Sequence, residues 1–454
     1  MTIQKLFIRV FLPAITAVLI MSCAYADESG FNVLFSGNIT EPVAVSIQSP
    51  QFLQLSQFGK ERTESLNRVL KHLSLSINTD GSLSESTFYT DSSPIFTIKE
   101  CRKEKHLRSV YSFCPDVLYQ RSETEETDDS FRKFLEGQFF LLNRMLDQYY
   151  PVFSKAGETF QNFTKTGISG INYKEYGKAI GKKIIQFPSD YVKEFFPPII
   201  ADLCETEESR QFTEQLHFKG AQRITLLYDQ NDKLMYVSFS GMVGLNEESM
   251  RKVTFTWKCL RSENRKKDNF VMKTPSVKGY DKYNLTYERD INTTDSDHQN
   301  VLWDFQLDLK EGDNKKKIQY NAEIGLSDGK LGGTVQFTEK QNGREYSISV
   351  IPELQKEKNR EFNGAIEITS KKGKIVVSSM NSLLRISPAA ALSAPEPDQY
   401  TLTDLDGEEG RHNADQLQTL INQILIKNLV ALPEEDTLFF RQDIPEETWE
   451  SILY

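Results

Sequence analysis

TDSDH at 294–298 puts Asp295, Asp297 and His298 within five residues, and these are side-chain types that hold metal ions. A metal centre needs a second cluster to complete its shell; without one, this segment reads as a polar connection. DLDGEEGRHNAD at 404–415 sets Asp404, Asp406 and Glu408 where calcium-loop ligands stand. Its sixth position lacks glycine, and Asp415 replaces the bidentate Glu, so it reads as a solvated acidic turn. YGKAIGKK at 176–183 imitates a phosphate-binding loop, but three residues separate Gly177 from Gly181, and Lys183 follows Lys182 where Ser or Thr is required. His72, His106, His217, His298 and His412 are scattered, and the chain has neither an HExxH pair nor a GxSxG elbow. We therefore assign no catalytic, cofactor-binding or metal-binding residue, and expect a protein without enzyme activity or cofactor.

Cysteine chemistry depends on the compartment, and the N-terminus predicts one. Lys5 and Arg9 precede an apolar run of twelve residues, Val10 to Met21, and Ala24-Tyr25-Ala26 has the small-x-small form of a secretory cleavage site. Twelve residues are too few to cross a bilayer, which takes about 20. Cleavage after Ala26 is expected, giving a secreted or extracytoplasmic chain; lipid attachment at Cys23 is the alternative. Cys101, Cys114, Cys204 and Cys259 then remain, an even number that suggests two disulfides with three pairings open. No CxxC spacing occurs, which argues against a zinc knuckle or a redox pair. Sequons stand at Asn38, Asn162, Asn284 and Asn292.

Charge narrows the partners. The chain carries a net −10, and residues 391–454 hold 14 acidic against 3 basic residues. Nucleic-acid binding needs a basic footprint that this balance does not supply. The exception is Arg251 to Lys273, with eight basic and two acidic residues, which reads as a solvated strand face rather than an anion-binding surface.

The elements that would position these groups follow from periodicity. From residue 221 onward apolar and polar residues alternate, as in Trp303, Phe305, Leu307 and Leu309 against Asp304, Gln306, Asp308 and Lys310. Phe255 and Trp257 share a face with Cys259. Turn signals such as EGDN at 311–314 and QNG at 341–343 separate the runs, which predicts an antiparallel meander of about ten strands. Helical spacing appears at 130–160, where Pro151 predicts a kink or break, at 188–216, and at 414–432. The fold class is α+β: a large curved antiparallel β-meander, one face apolar, packed on a few amphipathic helices. Its predicted parts are a signal peptide at 1–26, a β-rich unit with one helix at 27–125, a helical segment at 126–217, the meander at 218–387, an acidic Pro/Ala-rich linker at 388–412 and a helical tail at 413–454.

That pattern predicts an exported non-catalytic binding protein. Phe255, Trp257, Trp303, Phe305 and Leu307 would form the apolar sheet face over a lipid-like or other apolar ligand, by analogy with bacterial periplasmic carriers that hold acyl chains in an open half-barrel. The alternative is an envelope or cell-surface interaction protein that takes a protein partner at its acidic tail and terminal helix. Either reading expects a chain that is not an integral membrane protein once the leader is removed.

Overall fold

The computed structural model describes residues 42–56, 58–80, 83–103, 106–122, 140–188, 207–244, 250–274, 282–295, 298–357, 361–395 and 397–437. Ala26, Cys23, Cys204 and the helical stretches predicted at 130–139 and 189–206 lie outside them. The protein is mostly antiparallel sheet with a few helices. It divides into two compact units, one of Met1–Arg132, Ser327–Gly333 and Ile348–Tyr454, the other of Lys133–Leu326 and Thr334–Ser347.

In the first unit, β1 (Val43–Leu55), β2 (Leu73–Thr79), β3 (Leu83–Thr90), β4 (Ser93–Lys103), β5 (His106–Tyr111) and β6 (Cys114–Ser122) follow one another as antiparallel neighbours. Helix α1 (Lys60–Leu70) connects β1 to β2 and buries Leu66, Val69 and Leu70. Asn67 fastens it to β1: its amide donates to the Phe52 carbonyl and its Oδ1 accepts from the Phe52 N–H, both at 2.8 Å. Two bonds to one strand residue satisfy a side chain and a backbone pair together.

The second unit begins with α2 (Phe140–Thr159), then β7 (Thr164–Ile168), a two-stranded excursion of β8 (Asn172–Tyr173) with β9 (Gly177–Lys178), and β10 (Gly181–Phe187). Helix α3 (Glu207–Glu214) leads into the meander: β11 (His217–Tyr228), β12 (Leu234–Gly244), β13 (Arg251–Arg261), β14 (Arg265–Thr274), β15 (Lys282–Asp295) and β16 (His298–Glu311). Antiparallel pairing links β7 to β10 and then each strand in turn to β16, with register shifts within β11–β12 and β15–β16. β17 (Asn314–Ser327), β18 (Lys330–Gln341) and β19 (Arg344–Lys356) come next in the chain. β20 (Phe362–Lys372) and β21 (Ile375–Pro388) return to the first unit, where β21 pairs with β1. Finally β22 (Thr401–Asp404) lies parallel to β6 and α4 (Gly407–Val430) follows.

Alternation in these strands is the signature of a sheet that is dry on one side. Trp257, Tyr287, Trp303, Phe305 and Leu307 are each at most 1 % exposed, while Asp304 between them is exposed. Burial of such side chains contributes about 1.5–3 kcal/mol each, enough in sum to fix which face turns inward.

The break predicted at Pro151 does not occur, since α2 continues to Thr159. Proline removes one N–H and crowds the carbonyl four residues back, at Asp147. Both sides of the proline are anchored to the sheet, however: the rings of Tyr150 and Phe153 meet Trp257 edge-on at 6.2 and 6.1 Å, and Asp147 is bound by Arg289 at 2.8 Å. The 404–415 segment is not a loop but the last strand residue and the start of a helix. Asp406 is the α4 N-cap position, and its carboxylate accepts the Ser122 N–H at 2.5 Å.

Candidate functional site

Three places in the second unit gather side chains that could do more than pack. The first is an ionic network on the inner face of β13 to β15. Register places Cys259 beside Asp268 and Asp268 beside Arg289, all on that face. Asp268 is fully buried; it accepts from Trp257 Nε1 at 2.9 Å and from Arg289 Nε at 2.8 Å, and lies 2.8 Å from Arg261 Nη2. Arg289 also donates to Asp147 of α2, and Tyr287 donates to Asn143 one helical turn away. Burial pushes the Asp147 carboxyl up, but Arg289, Lys266 and Arg261 outweigh it and hold the group at about 2. Every charge here is matched by a fixed opposite charge or donor, so the network clamps α2 to the sheet and leaves no group poised for proton transfer.

This network and its outward-facing neighbours engage much of the basic stretch at 251–273. Arg261 pairs with Asp268, and Arg265 with Asp290 at 2.5 Å. Lys267, buried under the β8–β9 excursion, meets Glu175 at 2.5 Å and Asp290 at 3.1 Å. Lys258 lies over the Tyr173 ring at 5.5 Å. The excursion itself is held by the Tyr173–Tyr236 stack and by Tyr176 and Ala179 packed on Leu227 and Met235.

The second place is an apolar cavity of about 320 Å³ between α2, α3 and strands β11 to β14. Met145, Tyr149 and Phe153 line it on the helix side, with Phe255, Trp257 and Phe270 opposite. Phe255 and Trp257 of the predicted apolar face thus border a cavity, whereas Trp303, Phe305 and Leu307 do not line it and lie in packed core.

The third is a concave surface of about 680 Å³ where β15 to β18 end, lined by Asn284, Asp308, Lys310, Asp313, Lys315, Lys316, Lys317, Lys340 and Asn342. Two turns build it. Gly312, at φ +57°, reverses the chain between β16 and β17, and Asn342 and Gly343, at +48° and +82°, do the same between β18 and β19. The turns are tied together, because Asn342 Oδ1 accepts the Lys315 N–H at 3.1 Å and its amide donates to Asn314 Oδ1 at 3.0 Å. Five lysines against two aspartates leave a surplus of three positive charges in the lining of this concavity, in a chain of net −10. Lys316 is met by Glu339 at 2.8 Å and Lys340 by Glu345 at 3.2 Å. Among the described residues, Lys310, Lys315 and Lys317 have no carboxylate at ion-pairing distance. This site is hidden in the sequence because its residues come from separate strand ends; the visible signal is the run NKKK at 314–317.

Cys101, Cys114 and Cys259 are not joined to one another by disulfides among the described residues. Burial pushes the Cys259 thiol up, and it donates to the Leu234 carbonyl at 3.4 Å. His298 lies against Asp295 at 2.9 Å.

No protein-family model matches the chain, and no curated protein matches it. Similarity to solved structures is slight. One such structure is OmpT (in-vitro folded), an outer membrane protein of Vibrio cholerae, at 6 % identity and TM-score 0.24 over 76 % of this chain and 95 % of that one. Another is Wzi of Escherichia coli, described as an outer membrane protein involved in group 1 capsule assembly and a carbohydrate-binding β-barrel, at 6 % identity and TM-score 0.22 over 81 % and 90 %. A third is OpdO of Pseudomonas aeruginosa, at 7 % identity and TM-score 0.17 over 76 % and 94 %.

These likenesses correct the functional expectations. The neighbours are outer-membrane β-sheet proteins, at odds with the reading of a soluble exported protein holding an apolar ligand and with its alternative of a partner taken at the terminal helix. The expectation that the mature chain is not an integral membrane protein is likewise at odds with these neighbours, which are outer-membrane proteins. The physical reason lies in the pattern itself, since period-two alternation is common to soluble one-sided sheets and to barrel strands and does not distinguish them. An extracytoplasmic setting is consistent with these neighbours. Among the described residues no helix is long and apolar enough to cross a membrane, which has no bearing on strands.

Proposed function

We propose that this is an extracytoplasmic, non-catalytic β-sheet protein that receives an extended anionic ligand, carrying carboxylate or phosphate groups along a polar chain, on the lysine-lined concavity at the ends of β15 to β18. The observation that carries this reading is the trio Lys310, Lys315 and Lys317, which among the described residues have no carboxylate at ion-pairing distance, beside a concave space of about 680 Å³. Elsewhere in the unit Arg261, Arg265 and Lys267 of β13 and β14 are paired with aspartate or glutamate. Unneutralised ammonium groups that converge on one space repel each other, and a bound anion relieves that repulsion. Asn284, Asp308 and Asn342 add acceptors that would orient hydroxyl or amide donors of the ligand backbone.

Binding of polyphosphate, oligogalacturonate and neutral dextran to the purified protein tests it, with the triple variant Lys310→Gln, Lys315→Gln, Lys317→Gln alongside. The two polyanions should bind, more weakly as salt rises, and the variant should lose about tenfold in affinity, as expected for a few exposed ion pairs of up to about 1 kcal/mol each. Equal binding of dextran, or a variant as tight as the parent, would overturn the proposal. Whichever polyanion binds more tightly identifies phosphate or carboxylate as the preferred group.

A further inference from the structure

His72 follows α1, and both of its ring nitrogens face carboxylate oxygens. Nδ1 is 2.6 Å from Asp91 Oδ1, at the β3–β4 turn, and Nε2 is 2.9 Å from Asp436 Oδ2, far along the chain. Asp436 belongs to the helical turn that starts at Glu434 after α4, and its side chain is only 4 % exposed. The neighbouring Lys71 reaches the same oxygen at 2.9 Å. Glu434 and Glu435 on this turn are exposed.

We propose that His72, clamped between Asp91 and Asp436, is a pH-sensitive latch that holds the turn beginning at Glu434 against the end of α1 and lets it go as the imidazolium loses its proton. The chemistry is a count of donors. An imidazolium has two N–H groups and can donate to both carboxylates, whereas neutral imidazole has one. Deprotonation therefore turns one contact into a lone pair facing a carboxylate oxygen at 2.6 or 2.9 Å. Lys71 also reaches Asp436, but its side chain is 54 % exposed, so water screens its hold.

Burial works against the charged ring, yet the hydrogen bonds to Asp436 and Asp91 outweigh it and raise the histidine above its ordinary 6.5. A raised histidine contributes stability that is fully present below the unfolded value and is lost as pH climbs through the folded one. The latch is closed in mildly acidic solution and opens on the alkaline side.

Hydrogen exchange of the full-length protein, followed on peptides covering 424–437 at pH 6.0 and 8.5 and corrected for intrinsic exchange rates, tests this. Protection in the turn should fall about tenfold between the two conditions while β16 peptides hold theirs. In Asp91→Asn the dependence should flatten, because an amide can donate to the neutral ring; His72→Gln should flatten it too. Should the glutamine variant fail to fold, the asparagine variant decides. Equal protection at both pH values in the parent, or an undiminished fall in Asp91→Asn, would overturn the latch.

Discussion

Arg289 and Asp268 face each other across β14 and β15 at 2.6 Å, with 3 % and 0 % of their side chains exposed. Such a pair is a commitment of the fold, because neither charge has access to water if the other is removed. Arg289→Met should cost about 3–5 kcal/mol in denaturant unfolding by leaving Asp268 buried with less compensation. Pairing it with Asp268→Leu should recover part of that loss. A single variant as stable as the parent would show that the pair is not buried as described.

Acid should loosen α2 before it unfolds the sheet. Asp147 is held at about 2 by its cationic neighbours against the opposing effect of burial. A depressed carboxyl contributes stability that is present above its unfolded value, near 3.8, and is lost as pH falls toward about 2. Tyr150 and Phe153 lie on this helix against Trp257, so tryptophan fluorescence should report the change over that window. In Asp147→Asn the transition should be smaller in amplitude.

Thiol labelling separates the cysteines. Cys259 is fully buried and its thiol is pushed up, so alkylating reagents should leave it unmodified until the protein is denatured. Cys114, half-buried, should react faster under native conditions. Rapid native modification of Cys259, found by peptide mass mapping, would contradict the packing of β13.

Gly364 of β20 is a packing requirement rather than a turn. A methyl group there would lie 2.1 Å from the Glu353 carbonyl oxygen and 2.8 Å from Leu354 Cα, both backbone atoms. Gly364→Ala should destabilise the protein by about 1–3 kcal/mol, read from the urea midpoint. By contrast Gly373→Asn, in an open turn at φ +60°, should be nearly neutral because asparagine tolerates that conformation.

Much of the fold was legible along the chain. Trp303, Phe305 and Leu307 alternate with charged residues, and burial preference acts on each residue locally, so the inward face needed no knowledge of the partner. A β-rich first unit with one helix was legible for the same reason. Harder to read were β6, where CPDVLYQRS lacks clean alternation, and β22, four residues long and held by the parallel register to β6.

What only the tertiary structure decided are the relations between charges. Arg261 and Lys267 of the basic run at 251–273 meet Asp147, Glu175 and Asp290, which lie on other elements. Lys310, Lys315 and Lys317 are brought to one concavity only by where the β15 to β18 turns place them. His72 and Asp436 are 364 positions apart, yet 2.9 Å apart in space. Local sequence sets which side of a strand is dry, because burial is a property of one side chain at a time. Ion pairing is a property of two, and the second partner is chosen by the path of the chain.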